Sequence, residues 1–503
     1  MAALGAPAPS VGVVTPPEHV DLMVVHGLVL TMDAVGTRHD DGAVAVRNGR
    51  IVAVGPSEEL ERRFVASRTI DAHDQAVLPG LIDTYTHAGH GLVRGLFHPV
   101  HGWPAGALYW HATSPEWWRA EARLAALERT RCGVTSAVVI VGSTPARVDE
   151  PAYALAVARA HADAGLRVVV GVGPPDPLFP HLDDAWHATR WDATGPTRVP
   201  FDYESALAVS LDVIHTLAGG DGDLARGCLA PPYLFGRHVA HKLLPRRFPT
   251  ASDAASIGRE AERMRSLADD LGVLVHTHMF HGSVAYALEH LGADATAAIL
   301  GPDVVIAHAN GLAAAEVDAL GSAGCSIATV PTTHENLWYG FAPMLDLRDA
   351  GAVVTISSDG AAPYRSLDLW RDLGSATWNM WHRHHDQAVM APESVLRMVT
   401  SDAARALGVA HERGSLECGK CADLVTVDLR APHFTPLTSL EYQLVHFGSG
   451  ADVHTVVVAG EIVKRGEVFT NMEPDTVRAE AVDESRRAFE RAGIDTIDAY
   501  RWR

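Results

Sequence analysis

The chain is short of cysteine, of basic residues and of long apolar runs, and each shortage closes off a class of protein. Five cysteines in 503 residues make no disulfide framework. Cys418 and Cys421 form a CxxC pair, but no second pair completes a zinc site. This usage suits a reducing compartment, and a cytoplasmic location is expected. Lys and Arg number 41 against 61 Asp and Glu, a formal net charge of −20. Such a surface lacks the clustered cations that phosphate backbones require, so nucleic acid is not an expected partner. No apolar run approaches the roughly 20 residues of a membrane-spanning helix, so no membrane partner is expected either. The first 17 residues are small, Ala- and Pro-rich and uncharged. They lack the charged start and apolar core of a secretory signal and read as a flexible arm.

What the chain has in quantity is histidine, 28 residues of it, many at or just after the ends of predicted strands. Apolar residues at 47% and charged residues at 20% are ordinary for a globular protein. The length suits one large domain and a smaller one. Residues 18–78 read as short β-strands broken by Gly49 and Gly55. From 79 to 408, apolar runs alternate with long helical stretches. The expected strands are Val77–Thr84, Val134–Val141, Arg167–Val172, Gly227–Pro231, Gly272–His278, Asp303–Ala307, Cys325–Thr329 and Ala352–Ser357. The intervening helices include Pro115–Cys132, Tyr153–Ala164, Ala251–Leu271 and Ala313–Gly321. Eight such alternations predict an α/β fold, a (β/α)₈ barrel. A doubly wound sheet would show a Gly-rich phosphate loop after its first strand, and none is present. Residues 409–473 return to β character, and 474–503 form a charged helical tail. The economical arrangement folds 18–78 and 409–473 into one small composite β-sandwich.

Catalytic groups of such a barrel sit at the carboxyl ends of its strands. The first strand runs out through Tyr85 to His87, the fifth at His278, the sixth at His308 and the eighth at Asp359. One strand-end histidine means little. Three imidazoles and a carboxylate converging on one rim form the donor set with which catalytic zinc or iron holds water.

At these residues the chain resembles a known family. The segment VLPGLIDTYTHAGHGLVRG is similar to the metal-binding signature of the amidohydrolase superfamily, in its deaminase and chlorohydrolase branch. The resemblance continues through GVTS (133–136), THMFHG (277–282), AHANGL (307–312), SSDGAA (357–362), SLDLW (366–370) and GSLECGKCADLVTVD (414–428). It implies one divalent metal ion, zinc first and iron as the alternative. His87, His278 and Asp359 are its implied ligands. Asp359 also accepts a proton from the attacking water, and His308 contacts water or substrate. A metal-bound hydroxide would then attack an sp² carbon and expel the leaving group.

Two departures accompany the match. The first histidine of the family's HxH pair is Tyr85. Three readings stay open: a phenolate ligand, a hydrogen-bonding neighbour of a three-ligand metal, or a sign that the metal is lost. The family's HxxE glutamate, which carries the proton to the leaving nitrogen, is replaced by His281. An imidazole can do that work near neutral pH, and His281 is a candidate proton donor or substitute ligand. His90, Arg94, His334 and Trp338 are candidate substrate contacts on the rim loops, where His98, His101, Trp103, Trp110 and His111 also gather. Aromatic and imidazole groups there suit a flat, partly unsaturated small molecule.

The expected activity is hydrolysis at a C–N bond, most concretely deamination of an amino-substituted heterocycle. Amide or cyclic-amide hydrolysis is the near alternative. Lyase or decarboxylase chemistry and a metal-free binding protein are the distant ones. Relatives suggest a homo-oligomer, a dimer or larger.

Overall fold

The computed structural model describes residues 16–96, 105–141, 147–175, 186–192, 194–219, 224–236, 249–337, 340–362 and 365–494. Five strands come first: β1 (Glu18–Leu30), β2 (Arg38–Arg47), β3 (Arg50–Pro56), β4 (Phe64–Asp71) and β5 (Gln75–Pro79). β6 (Leu81–His87), β7 (Val134–Ile140) and β8 (Arg167–Val172) follow, then a hairpin of β9 (His187–Asp192) and β10 (Gly195–Pro200). β11 (Ala225–Leu229), β12 (Val275–Phe280), β13 (Val304–Asn310), β14 (Ser326–Thr329) and β15 (Val353–Ile356) come next. β16 (Leu424–Asp428), β17 (Val453–Val458), β18 (Glu461–Arg465) and β19 (Val468–Phe469) end the series.

Eight strands pair in the order β6-β7-β8-β11-β12-β13-β14-β15, every pairing parallel. The ring comes round where Thr86 bridges Asp359, the Asp359 amide donates to the Tyr85 carbonyl at 3.1 Å, and the Thr84 and Thr355 hydroxyls meet at 2.7 Å. This is the expected (β/α)₈ barrel. β7, β13 and β14 are buried along their whole length, as strands covered on both faces must be. Ile82, Tyr85, Val138, Ile140, Val305, Ala307 and Ala328 share one core cluster. Helices Pro115–Arg131, Ala152–Asp163, Tyr203–Ala218, Ala254–Leu271 and Ala314–Ser322 lie between strands. The first is started by Pro115 and by Ser114, whose hydroxyl accepts from the Trp117 amide at 3.3 Å. Gly272, at φ 63°, ends the helix Ala254–Leu271 in the left-handed conformation.

The remaining nine strands form one sheet, β19-β18-β17-β16-β5-β1-β2-β3, with β4 on β1. Both ends of the chain build it, because β5 pairs antiparallel with β16. Its strands bury both faces by alternation. Leu22 and Val24 pack with Val44, Val46, Ile70, Leu424 and Val457, while Met23 and Val25 pack with Ala43, Ala45, Leu60 and Phe64. A buried ion pair ties this sheet to the barrel. Arg167 at the start of β8 meets Asp423 at 2.8 Å, and Asp423 also accepts from the Ala459 amide at 2.7 Å. The helix Pro474–Ala492 packs against Pro115–Arg131 and Ala105–Ala112. Among the described residues no helix is long and apolar enough to cross a membrane.

Candidate active site

Residues two apart on a strand share a face, so β6 turns Tyr85 and His87 to the same side at its carboxyl end. β12 brings His278, β13 brings His308, and the turn after β15 brings Asp359. The side chains meet. Tyr85 Oη lies 2.7 Å from His87 Nε2, 2.7 Å from His278 Nε2 and 3.5 Å from His308 Nε2. His87 Nε2 lies 3.6 Å from Asp359 Oδ1. The Tyr85 ring is fully buried and stacks on His276 with centroids 5.1 Å apart.

The proton inventory follows from the partners. His278 Nδ1 faces the Pro232 carbonyl at 3.1 Å, so Nδ1 carries the hydrogen and Nε2 is left as an acceptor. Tyr85 has one proton and gives it to His278. His87 Nε2 then donates to the phenol oxygen. Burial, with the Asp359 charge beside it, holds the Tyr85 phenol well above its ordinary value. Burial pushes His87 down to about 3 and His278 down to about 4, and holds His308 well below the usual imidazole range. Burial alone would raise the Asp359 carboxyl. The Arg365 guanidinium leads the groups that outweigh it and hold the carboxyl far below the usual carboxylate range. The cluster is therefore a neutral phenol, three neutral imidazoles and one carboxylate.

Asp359 is pinned from every side. Its φ of 58° is left-handed, as are those of His308 (74°) and Ala309 (53°), a conformation that non-glycine residues adopt at a cost. The Thr86 hydroxyl donates to its carbonyl, Thr333 Oγ1 donates to Oδ2 at 2.9 Å, and the Gly360 amide donates to Oδ1 at 2.7 Å. Arg365 stands 3.5 Å from Oδ2 while its Nε donates to the Gly360 carbonyl. Gly360 is required: a Cβ there would fall 1.7 Å from His90 Nδ1. Behind the rim, Arg129 donates to Thr86 at 3.1 Å, and Ser358 donates twice to Asp83. Burial pushes Asp83 up to about 6 against the pull of Arg129.

Other expected contacts divide. His90 is buried and stacks on His87 at 4.9 Å. His334 is buried with its centroid 5.8 Å from that of His308, and its Nε2 has no partner among the described residues. Phe280 stacks on His308 at 4.9 Å, and Tyr233 lies 5.8 Å from His278. His281 is not brought to the cluster. Its side chain is 71% exposed and its Nδ1 faces Glu316 at 3.5 Å. The reason is local: β12 ends at Phe280, and Gly282 (φ 90°) turns the chain into the next helix. The buried Glu316 carboxylate accepts from the Gly282, Val284 and Ala285 amides and holds that turn. Arg94 is not brought there either; it pairs with Glu128 at 2.6 Å. Trp110 packs on Phe201 at 5.0 Å and His111 on His187 at 5.0 Å. Trp338, His98, His101 and Trp103 lie outside the described residues. Sequence reasoning missed Thr86, Thr333, Arg365 and His276. Thr333 stands next to His334 and Arg365 next to SLDLW (366–370), but nothing in their spacing marks them.

The profile of the amidohydrolase family matches residues 76–463. The chain belongs to the amidohydrolase family. Within the composite sheet of this amidohydrolase, residues 42–64 match the imidazolonepropionase-like composite domain of bacteria. It is 30% identical over 470 residues to a 5-methylthioadenosine/S-adenosylhomocysteine deaminase of Syntrophobacter fumaroxidans, covering 91% of this chain and 96% of that one. It is 26% identical over 451 residues to a 5′-deoxyadenosine deaminase of Methanosarcina mazei, covering 88% and 92%. Among solved structures, an adenosine deaminase from Xanthomonas campestris with bound zinc superposes with a TM-score of 0.78 at 26% identity, covering 94% and 100%. The atrazine chlorohydrolase of Arthrobacter aurescens, complexed with zinc, shares the fold at a TM-score of 0.71 and 21% identity, covering 92% and 100%.

Proposed function

We propose that this amidohydrolase hydrolytically removes the exocyclic amino group of an amino-substituted heterocycle, with an adenine-type base as the first class to test. It is an enzyme acting on carbon–nitrogen bonds other than peptide bonds. One observation carries the reading: His87, His278, His308 and Asp359 meet at one barrel rim in a chain matched almost end to end by adenosine-type deaminases.

The family implies a divalent ion. The donor chemistry fits one: His87 and His278 are neutral imidazoles, and Asp359 is an ionised carboxylate. The Pro232 carbonyl orients His278 as the outer partner of a ligating imidazole does. These three residues would hold the ion, zinc first and iron as the alternative. When bound, it supplies a water acidified to a pKa of about 7.

The chain's own groups do the rest. Asp359, ionised and aimed by Thr333 and Arg365, takes up the proton released at its carboxylate. His308, the third imidazole of the cluster, faces the same space and, in place of the outward-turned His281, would pass the proton taken up by Asp359 to the leaving nitrogen, ending neutral as it began. Phe280 and Tyr233 flank His308 and His278 and suit a flat ring. His334 offers a buried Nε2 to the substrate.

The test is ammonia release from a panel of adenosine-type nucleosides, other aminopurines, pterins and triazines, with zinc-supplemented enzyme. Release from at least one adenine-type compound is expected. Silence across the panel, together with turnover of a lactam or a urea, would replace the reading with cyclic-amide hydrolysis.

A further inference from the structure

We infer that the Tyr85 hydroxyl sits in the place a divalent ion would take, so that phenol and ion exclude each other and Tyr85 weakens metal binding by His87, His278 and Asp359. A tyrosine oxygen lies about 2 Å farther from its Cα than a histidine Nε2 does, close to one zinc–nitrogen bond length. A tyrosine set where a ligating histidine would stand therefore puts its oxygen beyond the ligand position, into the ion's own.

The distances agree. Two ligand atoms on a tetrahedral ion stand about 3.3 Å apart, given bonds near 2.0–2.1 Å. Tyr85 Oη stands 2.7 Å from both His87 Nε2 and His278 Nε2, which is hydrogen-bond spacing and not ligand spacing. The third imidazole, His308, points at the same oxygen from 3.5 Å. Among the described residues, no three His, Cys, Asp or Glu side chains stand close enough together to hold an ion as they are.

Moving aside is not free for this side chain. The Tyr85 ring is fully buried, stacks on His276 and belongs to the barrel core with Ile82, Val138 and Ile140. Leaving would break two buried hydrogen bonds and expose a packed ring. An ion must displace the hydroxyl before the three donors can close on it.

Occupancy of the site, not turnover, is what Tyr85 controls, so metal binding is what is measured. Wild type, Tyr85→Phe and Tyr85→His are loaded with zinc and desalted. Metal per chain is measured by plasma mass spectrometry, and affinity by competition with a chromophoric chelator. Wild type should retain well under one ion per chain. Tyr85→His should retain one ion, with affinity higher by on the order of tenfold or more. Tyr85→Phe, which frees the space without adding a donor, should bind more tightly than wild type. Wild type holding one ion that Tyr85→Phe loses would make the phenol a ligand and overturn the inference. Equal binding by wild type and Tyr85→Phe, or no binding by any of the three, would overturn it too. Thermal unfolding checks each fold; if Tyr85→His is unfolded, the Tyr85→Phe comparison decides alone. Failure of the ammonia assay leaves this result standing, and the reverse holds.

Discussion

The Thr86 hydroxyl donates to the backbone carbonyl of Asp359 across 2.5 Å. Thr86 faces away from the cluster and touches none of its side chains, yet it holds the left-handed residue on which the proposed chemistry turns. Thr86→Val keeps the shape, removes this bond, and strips Arg129 of one partner. A loss of about 1–3 kcal/mol of stability is expected from denaturant titration. A fall in kcat of roughly 10- to 100-fold is expected from the displaced carboxylate. Wild-type kcat in Thr86→Val would show that Asp359 does not need this support.

His281 and His308 should separate cleanly. His281 is exposed and turned to Glu316, so His281→Ala should stay within about twofold of wild-type turnover and about 0.5 kcal/mol of its stability. His308→Gln should lower kcat by about 10²–10⁴. Steady-state kinetics on one active substrate checks both. A large loss in His281→Ala would mean that the turn after β12 swings inward when substrate binds.

Acid should unfold the protein through its buried histidines. Burial pushes His161, His276 and His334 down to about 3 each. In the unfolded chain they titrate near 6.5. Between those values the unfolded chain binds protons that the folded chain refuses, so stability falls on acidification below pH 6.5. The slope is about 1.4 kcal/mol per pH unit for each histidine. Asp83 opposes this over a narrower window. Its folded value of about 6 lies above its unfolded one, so its contribution falls as pH rises from about 4 to 6. His161→Gln should flatten the urea midpoint against pH from 6.5 to 4, and an unchanged slope would remove His161 from the account.

Asp423→Ala should be costly although it lies far from the rim. It takes the Asp423 carboxylate away from the buried Arg167 and from the Ala459 amide. About 3–5 kcal/mol is expected, read as a drop in the denaturation midpoint. Less than about 1 kcal/mol would mean that water replaces the carboxylate there.

Much of this architecture is visible in the residue pattern, for reasons that particular elements make plain. β8 begins and ends where expected because Gly165 (φ 82°) stops the preceding helix and Val168, Val169 and Val170 follow. β12 does not. Gly272 reads as the start of a strand, but its left-handed φ makes it the end of a helix, so the strand runs from Val275 to Phe280. That short displacement leaves His281 on the turn, outside the cluster that the HxxH spacing suggests. The hairpin β9–β10 carries polar residues, prolines and a tryptophan, and no alternation announces it. The cluster itself was legible because its members end separate strands of one barrel. Its supports were not. Thr86 points the other way from its neighbours, and Thr333 and Arg365 come from segments whose approach to Asp359 only the closed ring determines. That Tyr85 Oη would stand among three imidazoles follows from side-chain reach, which spacing along a chain does not encode.

The pairing of β5 with β16 has a bearing on how the molecule is made. On the ribosome, the opening strands emerge first and fold against one another, but the neighbour they need is synthesised only after the whole barrel. Until then Gln75–Pro79 offers a row of open amides and carbonyls, a template for any stray extended segment. A nascent chain that stalls before Leu424 is therefore more than incomplete: it carries a sticky border that only β16, in its own last fifth, can cover.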